Sequence, residues 1–256
     1  MSDRLADKRL VVIGAGTGIG AATAERLCTE GARVAVLDIN MPAAEAVASR
    51  LADEGHDAFA VAVDIADEAS VDAAIAQAAA RLGGLDGAHV NAADLRTIFA
   101  DSDALALDLA VFDRTLAVNL RGHLLCTRAV LPHLLAAGGG AIVYTSSDAG
   151  DIGEPERPSY AASKSGLNAL MRHVASRWGK QGVTANCVAP GFVMTPEMTA
   201  GGQVPADWIA LCLEQTRSTR LGKAEDIAGV AAMLLSEDGR WINGQVVHVN
   251  GGALLN

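Results

Sequence analysis

Short, β-branched, apolar runs alternate along this chain with longer Ala-rich stretches whose apolar positions return at helical spacing. The runs are RLVVI (9–13), RVAVL (33–37), AFAVAV (58–63), LDGAHV (85–90), AIVYTS (141–146), VTANCVA (183–189) and QVVHV (245–249), and each predicts a buried strand. Helical patterns at about 18–30, 41–53, 67–81, 108–137, 159–180 and 224–236 lie between them. Strands alternating with helices predict an α/β fold, a seven-stranded parallel sheet with helices on both faces and right-handed crossovers. No Pro- or Ser-rich linker and no longer repeat divides the chain, so residues 1–256 read as one domain.

Two stretches break the rhythm: DLRTIFADSDALALD (94–108) and GFVMTPEMTAGGQVPADWIALCLEQTRS (191–218). In open α/β sheets ligands sit beyond the carboxyl ends of the strands, so irregular segments that follow strands are expected to wall a pocket. The core of about 192–217 is the expected substrate-binding loop. It mixes Phe192, Met194, Met198, Trp208 and Leu211 with Glu197, Glu214 and Arg217, which suits an apolar ring compound or a polyol.

Composition narrows the picture. Hydrophobic residues make up 50% of the chain and aromatic ones only 4%, so Ala, Val, Leu and Ile must build the core. A formal net charge of −10 argues against nucleic-acid or anionic-membrane partners, which need a basic footprint. Cys28, Cys126, Cys187 and Cys212 are far apart and form no C-x-x-C pair, so no metal site or disulfide scaffold is expected. The polar start MSDRLADKR and the lack of any apolar run near ~18 residues make a cytoplasmic protein the default expectation.

The run VVIGAGTGIGAATAERL passes from strand to glycine loop to helix, with Gly14, Gly18 and Gly20 spaced G-x-x-x-G-x-G. Glycines there let the chain turn sharply and bring backbone N–H groups to a pyrophosphate at a helix N-terminus. A glycine turn without a ligand is the plain alternative. Asp38 ends the second strand 20 residues beyond Gly18, where a carboxylate can accept from ribose hydroxyls. It repels a 2′-phosphate, and Thr17, Ile39 and Asn40 offer no compensating cation, so the expected cofactor is NAD on a Rossmann-like, doubly wound fold. Asp64-Ile65, after the third strand, meets the adenine or is a helix-capping turn.

In PSYAASKSG (158–166), Tyr160 stands four residues before Lys164, and two such residues face one another on any helix. The local sequence alone does not say whether they do chemistry.

The chain resembles the short-chain dehydrogenase/reductase family from about residue 8 onward. GAGTGIG (14–20), VNAA (90–93), VNLRG (118–122), TSS (145–147), YAASK (160–164) and APGFVMT (189–195) carry the likeness in order and spacing. The resemblance implies that Tyr160 is a general acid/base, supported by Lys164, with Ser147 binding the substrate oxygen and Asn119 helping to hold a water relay. It implies dinucleotide contacts along Gly14, Thr17, Gly18, Ile19, Gly20, Asp38 and Ile39, and at Asp64, Ile65, Asn91 and Ala92. Tyr160, Lys164, Pro190, Gly191, Val193 and Thr195 would meet the nicotinamide half. It also implies a homo-oligomer, most often a tetramer. A phenol with a pKa near ~10 is a poor base at neutrality, and a nearby ammonium and a cationic nicotinamide lower that value. Ser146 and Tyr144 are expected to be structural.

The chain departs from the family's N-N-A-G with Val90-Asn91-Ala92-Ala93, and Ile13 stands where a Thr is common. These changes are expected to alter stability or cofactor fit and to leave the acid/base set intact. The leading expectation is an NAD-dependent oxidoreductase interconverting a secondary alcohol and its ketone. The alternatives are an NADPH-dependent reductase of carrier-bound acyl groups and a non-catalytic nucleotide-binding regulator.

Overall fold

The computed structural model describes residues 3–195 and 206–255. Its frame is a parallel sheet of seven strands: β1 (Arg9–Ile13), β2 (Arg33–Asp38), β3 (Ala58–Ala62), β4 (Gly87–Val90), β5 (Gly140–Thr145), β6 (Val183–Pro190) and β9 (Val246–Val249). They lie in the order β3-β2-β1-β4-β5-β6-β9. The chain winds outward from β1 through β2 and β3, then returns to the centre at β4 and winds the other way. The order therefore reverses between β1 and β4, and the crevice beyond their carboxyl ends is where such sheets bind ligands. All seven strands read from the sequence are present.

Side chains on each strand alternate between two cores. Val11 and Ile13 pack with Ile75 of α3 (Glu68–Leu82), Val130 of α5 (His123–Ala136) and Leu167 of α6 (Pro158–Trp178). Leu10 and Val12 face the other way, onto Leu27 of α1 (Gly18–Thr29), Leu51 of α2 (Met41–Asp53) and Ile227 of α8 (Ala224–Leu235). Polar caps start two of these helices. Asp67 accepts from the Ala69 and Ser70 N–H groups, and Asn40 accepts from Ala43, each cap contributing about 1 kcal/mol.

The predicted helix over 108–137 is broken. Asp108 caps α4 (Leu109–Leu116), residues Ala117–Gly122 form a π-helical turn, and α5 follows. The second irregular stretch holds β7 (Val193–Met194), paired with β8 (Gly222–Lys223), and α7 (Ala206–Gln215). Glu197 and Met198 lie outside the described residues. Among the described residues no helix is long and apolar enough to cross a membrane, and no cluster of three metal-ligating side chains occurs. Cys28, Cys126 and Cys187 are buried free thiols, and Cys212 is half-buried.

Candidate active site

The glycine loop leaves β1 at the centre of the sheet. Gly14 adopts φ +82°, and an added Cβ would lie 2.5 Å from the Ala92 Cα, so only glycine lets this turn rest against the loop after β4. At Gly20 an added Cβ would strike the Gly14 carbonyl oxygen, so α1 starts flush against the turn. Thr17 stands in extended backbone just before α1, and Ile19 packs on the adjacent core. Asp38 turns toward the same loop: Oδ2 accepts the Gly16 N–H at 2.8 Å and Oδ1 accepts the Asn40 N–H at 2.9 Å. A carboxylate has about four acceptor positions, so two are without a partner among the described residues. Ile39 is 66% exposed and brings no charge.

At Asp64-Ile65 the geometry is that of a turn. The Asp64 carboxylate accepts the Ala66 N–H at 2.9 Å, and the Ile65 side chain is buried in the core beneath Gly122. Asn91 is joined to the glycine loop, donating from Nδ2 to the Gly14 carbonyl at 2.8 Å.

Tyr160 and Lys164 stand on the first two turns of α6. Pro158 occupies the first turn, where its missing N–H costs nothing, and Arg157 precedes it at φ +64°, held by its own N–H to the Ser102 carbonyl at 3.1 Å. Asp101 completes the cap. It accepts the Ser159 hydroxyl and the Tyr160 backbone N–H, both at 2.9 Å. Lys164 is buried and donates from Nζ to the Thr145 carbonyl at 2.8 Å, with Nζ 5.6 Å from the Tyr160 ring centre. Burial pushes its ammonium down to about 8.

Among the protein's own groups, burial is the largest influence on Tyr160 and raises its pKa, opposed by the hydrogen bond to Ser147 and the charge of Arg157. Ser147 sits in extended backbone at the end of β5, and its Oγ also accepts the Ala149 N–H at 3.2 Å. Its neighbour Ser146 is buried and donates to Asn168 at 2.6 Å, a structural bond. Tyr144 is wholly buried with its hydroxyl on Thr127 at 2.7 Å.

Asn119 lies inside the π turn, a local irregularity that recurs at functional sites. Its Oδ1 accepts the Asp94 N–H at 2.9 Å, and its buried Nδ2 has no partner among the described residues. The Arg96 side chain, with Arg114, holds the Asp94 carboxyl below its usual range.

At the far end of the site, the Gly191 N–H points to the Val249 carbonyl at 3.4 Å, next to Pro190 at the end of β6. Val193 is buried and paired with Gly222, and Thr195 is half-buried. Phe192 and Trp208 meet edge to face with ring centres 4.3 Å apart. The acidic stretch 148–158 is less open than its sequence suggests. Asp148 is buried against His248 Nδ1 at 2.7 Å and Asn250 Nδ2 at 2.9 Å, and Glu154 pairs with Arg157.

Sequence reasoning missed Asp101, Asp94, Thr145 and two buried histidines, His89 and His123. Thr145 lies in the TSS run and Asp94 and Asp101 in the irregular stretch 94–108, and the histidines stand as ionisable residues near apolar runs.

The family described as enoyl-(acyl carrier protein) reductase matches residues 14–253. A probable short-chain type dehydrogenase/reductase of Bradyrhizobium diazoefficiens is 42% identical, over 99% of this chain and 89% of that protein. Cis-4-hydroxycyclohexanecarboxylate dehydrogenase of Sinomonas cyclohexanicum is 38% identical over 98% of each. The structure of 7α-hydroxysteroid dehydrogenase complexed with NADH and 7-oxo glycochenodeoxycholic acid superposes with a TM-score of 0.90 at 30% identity, over 99% of this chain and 98% of that one. These likenesses define an oxidoreductase of the Rossmann fold. The chain belongs to the short-chain dehydrogenase/reductase family.

Proposed function

We propose that this enzyme is an NAD-dependent dehydrogenase that interconverts a secondary alcohol and its ketone, with Tyr160 as general acid/base. The observation that carries this reading is the convergence of Tyr160, Ser147 and buried Lys164 at the carboxyl end of β5, in a chain whose glycine loop admits no side chain at Gly14. Asp38 supports NAD, because its two free acceptor positions suit ribose hydroxyls and its charge opposes a 2′-phosphate. The dinucleotide, when bound, supplies the hydride acceptor.

In oxidation Tyr160 takes the hydroxyl proton, and Ser147 donates to the same oxygen as its charge changes. Buried Lys164, fixed on the Thr145 carbonyl, holds positive charge near the phenol. Asn119 contributes a buried amide N–H that has no partner among the described residues and is available to a water relay. The edge-to-face pair of Phe192 and Trp208, and the ring substrates named for two relatives, support a cyclic alcohol, with 192–217 as its binding loop.

Exposed Trp241 and an apolar groove lined by Leu116, Leu120, Leu124 and Leu170 support a homo-oligomer, a tetramer by family resemblance. The test is a panel of cyclic and acyclic secondary alcohols with NAD and NADP, read by the absorbance of reduced nicotinamide. NAD-dependent turnover of a ring alcohol is expected. Turnover confined to carrier-bound acyl substrates with NADPH would overturn the reading.

A further inference from the structure

The turn after β4 lacks the first Asn and the last Gly of the family's pattern, yet it is tied down on every side. The Asn91 and Ala92 N–H groups both reach the Ile13 carbonyl at 2.9 Å, and Asn91 Nδ2 donates to the Gly14 carbonyl at 2.8 Å. That last bond fixes the amide, because a carbonyl can only accept. Asn91 Oδ1 must then accept the one Thr145 hydroxyl proton, across 2.9 Å. With its proton spent, Thr145 Oγ1 can only accept from His89 Nε2, 2.8 Å away. His89 therefore carries a hydrogen on Nε2. On the other side His123 Nε2 donates to the Ala92 carbonyl at 2.9 Å, which requires a hydrogen on Nε2 there too.

Both imidazoles are wholly buried, and each Nδ1 is without a partner among the described residues. A buried acceptor left unpaired is costly, so an apolar ring would fill either place better unless the N–H donor is used. Burial drives both to about 3, which keeps them neutral. Thr145 also receives Lys164 Nζ on its carbonyl, so one residue joins the lysine to the cofactor turn.

We propose that His89 and His123 are positioning residues, two neutral N–H donors that clamp the 91–92 turn against Gly14 and, through Thr145, set the seat of Lys164. The proposal rests on the reading of Tyr160 and Lys164 given above.

The test uses the full chain, with NADH binding followed by fluorescence, steady-state kinetics on an alcohol the wild type oxidises, and thermal melts. His89→Phe keeps a ring and removes the donor, whereas His89→Gln keeps an N–H near the Nε2 position. The expected result is NADH affinity weakened about tenfold in His89→Phe, the order of one lost buried hydrogen bond. The KM for NAD rises, kcat falls, the KM for alcohol holds, and His89→Gln recovers most of the loss. His123→Phe shows the same split. Unchanged NADH affinity and kcat in His89→Phe, or equal losses in the Phe and Gln variants, would overturn the clamp. If His89→Phe does not fold, Thr145→Val breaks the same chain with little change of volume and must weaken NADH binding equally; wild-type affinity there overturns it too. A wild type that binds NADH but oxidises no alcohol sinks the proposed function, and the binding measurements still decide the clamp. A wild type that binds no NADH sinks both.

Discussion

Asp101 and Tyr160 are joined by a hydrogen bond in which the Asp101 carboxylate accepts the Tyr160 backbone N–H at 2.9 Å, while its other oxygen takes the Ser159 hydroxyl. A residue from the irregular stretch 94–108 thus caps the helix that carries the proposed acid/base. The cap ties the start of α6, and with it the Tyr160 backbone, to the irregular stretch. Asp101→Ala is expected to cost about 1 kcal/mol of stability, as lost helix caps do, and to lower kcat about tenfold with little change in the KM for NAD. Asp101→Asn, which keeps one acceptor, is expected to fall between. Stopped-time assays beside thermal melts check this, and a variant with full kcat would refute the positioning role.

Cofactor choice should turn on Asp38. Asp38→Asn keeps an acceptor for the Gly16 N–H and removes the charge, and Ile39→Arg adds a cation at an exposed position. The double variant is expected to shift the ratio of kcat/KM for NAD over NADP toward NADP by about a hundredfold, the scale of a charge-assisted phosphate contact. Initial rates with both cofactors measure it. An unmoved ratio would remove Asp38 from the specificity argument.

The buried histidines make stability depend on pH. Each has a folded pKa depressed to about 3, against about 6.5 unfolded. Between those values the unfolded chain binds more protons than the folded one, so stability is full above about 6.5 and falls as pH drops toward 3. The two groups together give a slope of about 2.7 kcal/mol per pH unit in the steep part of that window. Urea unfolding between pH of about 5 and 6.5 isolates them from most carboxylates. Replacing His89 by Phe should remove about half of the slope. An unaltered slope would mean that the ring is protonated in the folded chain.

Catalysis should show its own rising limb, at higher pH. Burial raises Tyr160 and holds Lys164 at about 8, so alcohol oxidation, which needs the phenol to lose its proton, is expected to climb as pH rises above neutrality. Lys164→Met removes the positive charge, and kcat is expected to fall by about a hundredfold or more while the limb moves to higher pH. A limb displaced to lower pH would contradict the role of the lysine.

Much of this was legible in the sequence. The strands announce themselves because a parallel sheet buries both faces, so RLVVI or VTANCVA is apolar throughout, and the turns between carry glycine or a polar cap. Tyr160 and Lys164 are legible because helical spacing alone makes them neighbours. The π turn at Ala117–Gly122 is not, since the apolar period of the stretch runs through it and one inserted residue leaves no compositional mark. Asp101 sits in a stretch without periodicity, and its partners are 58 and 59 residues away. His89 is visible within LDGAHV, but its meaning depends on Thr145, 56 residues downstream. In the acidic stretch 148–158 the sequence shows charge, whereas the structure shows Asp148 satisfied by His248 and Asn250 from the last strand and the turn after it.

The central claim is that Tyr160 moves the proton in an NAD-dependent oxidation, and Tyr160→Phe tests it most directly. The variant keeps the ring and the backbone N–H to Asp101 and loses only the hydroxyl. NADH titration and single-turnover oxidation of a ring alcohol, run on both proteins, separate binding from chemistry. Wild-type NADH affinity is expected, with the rate reduced by about a thousandfold, within the range of a lost general acid/base. Turnover at the wild-type rate in Tyr160→Phe would contradict it.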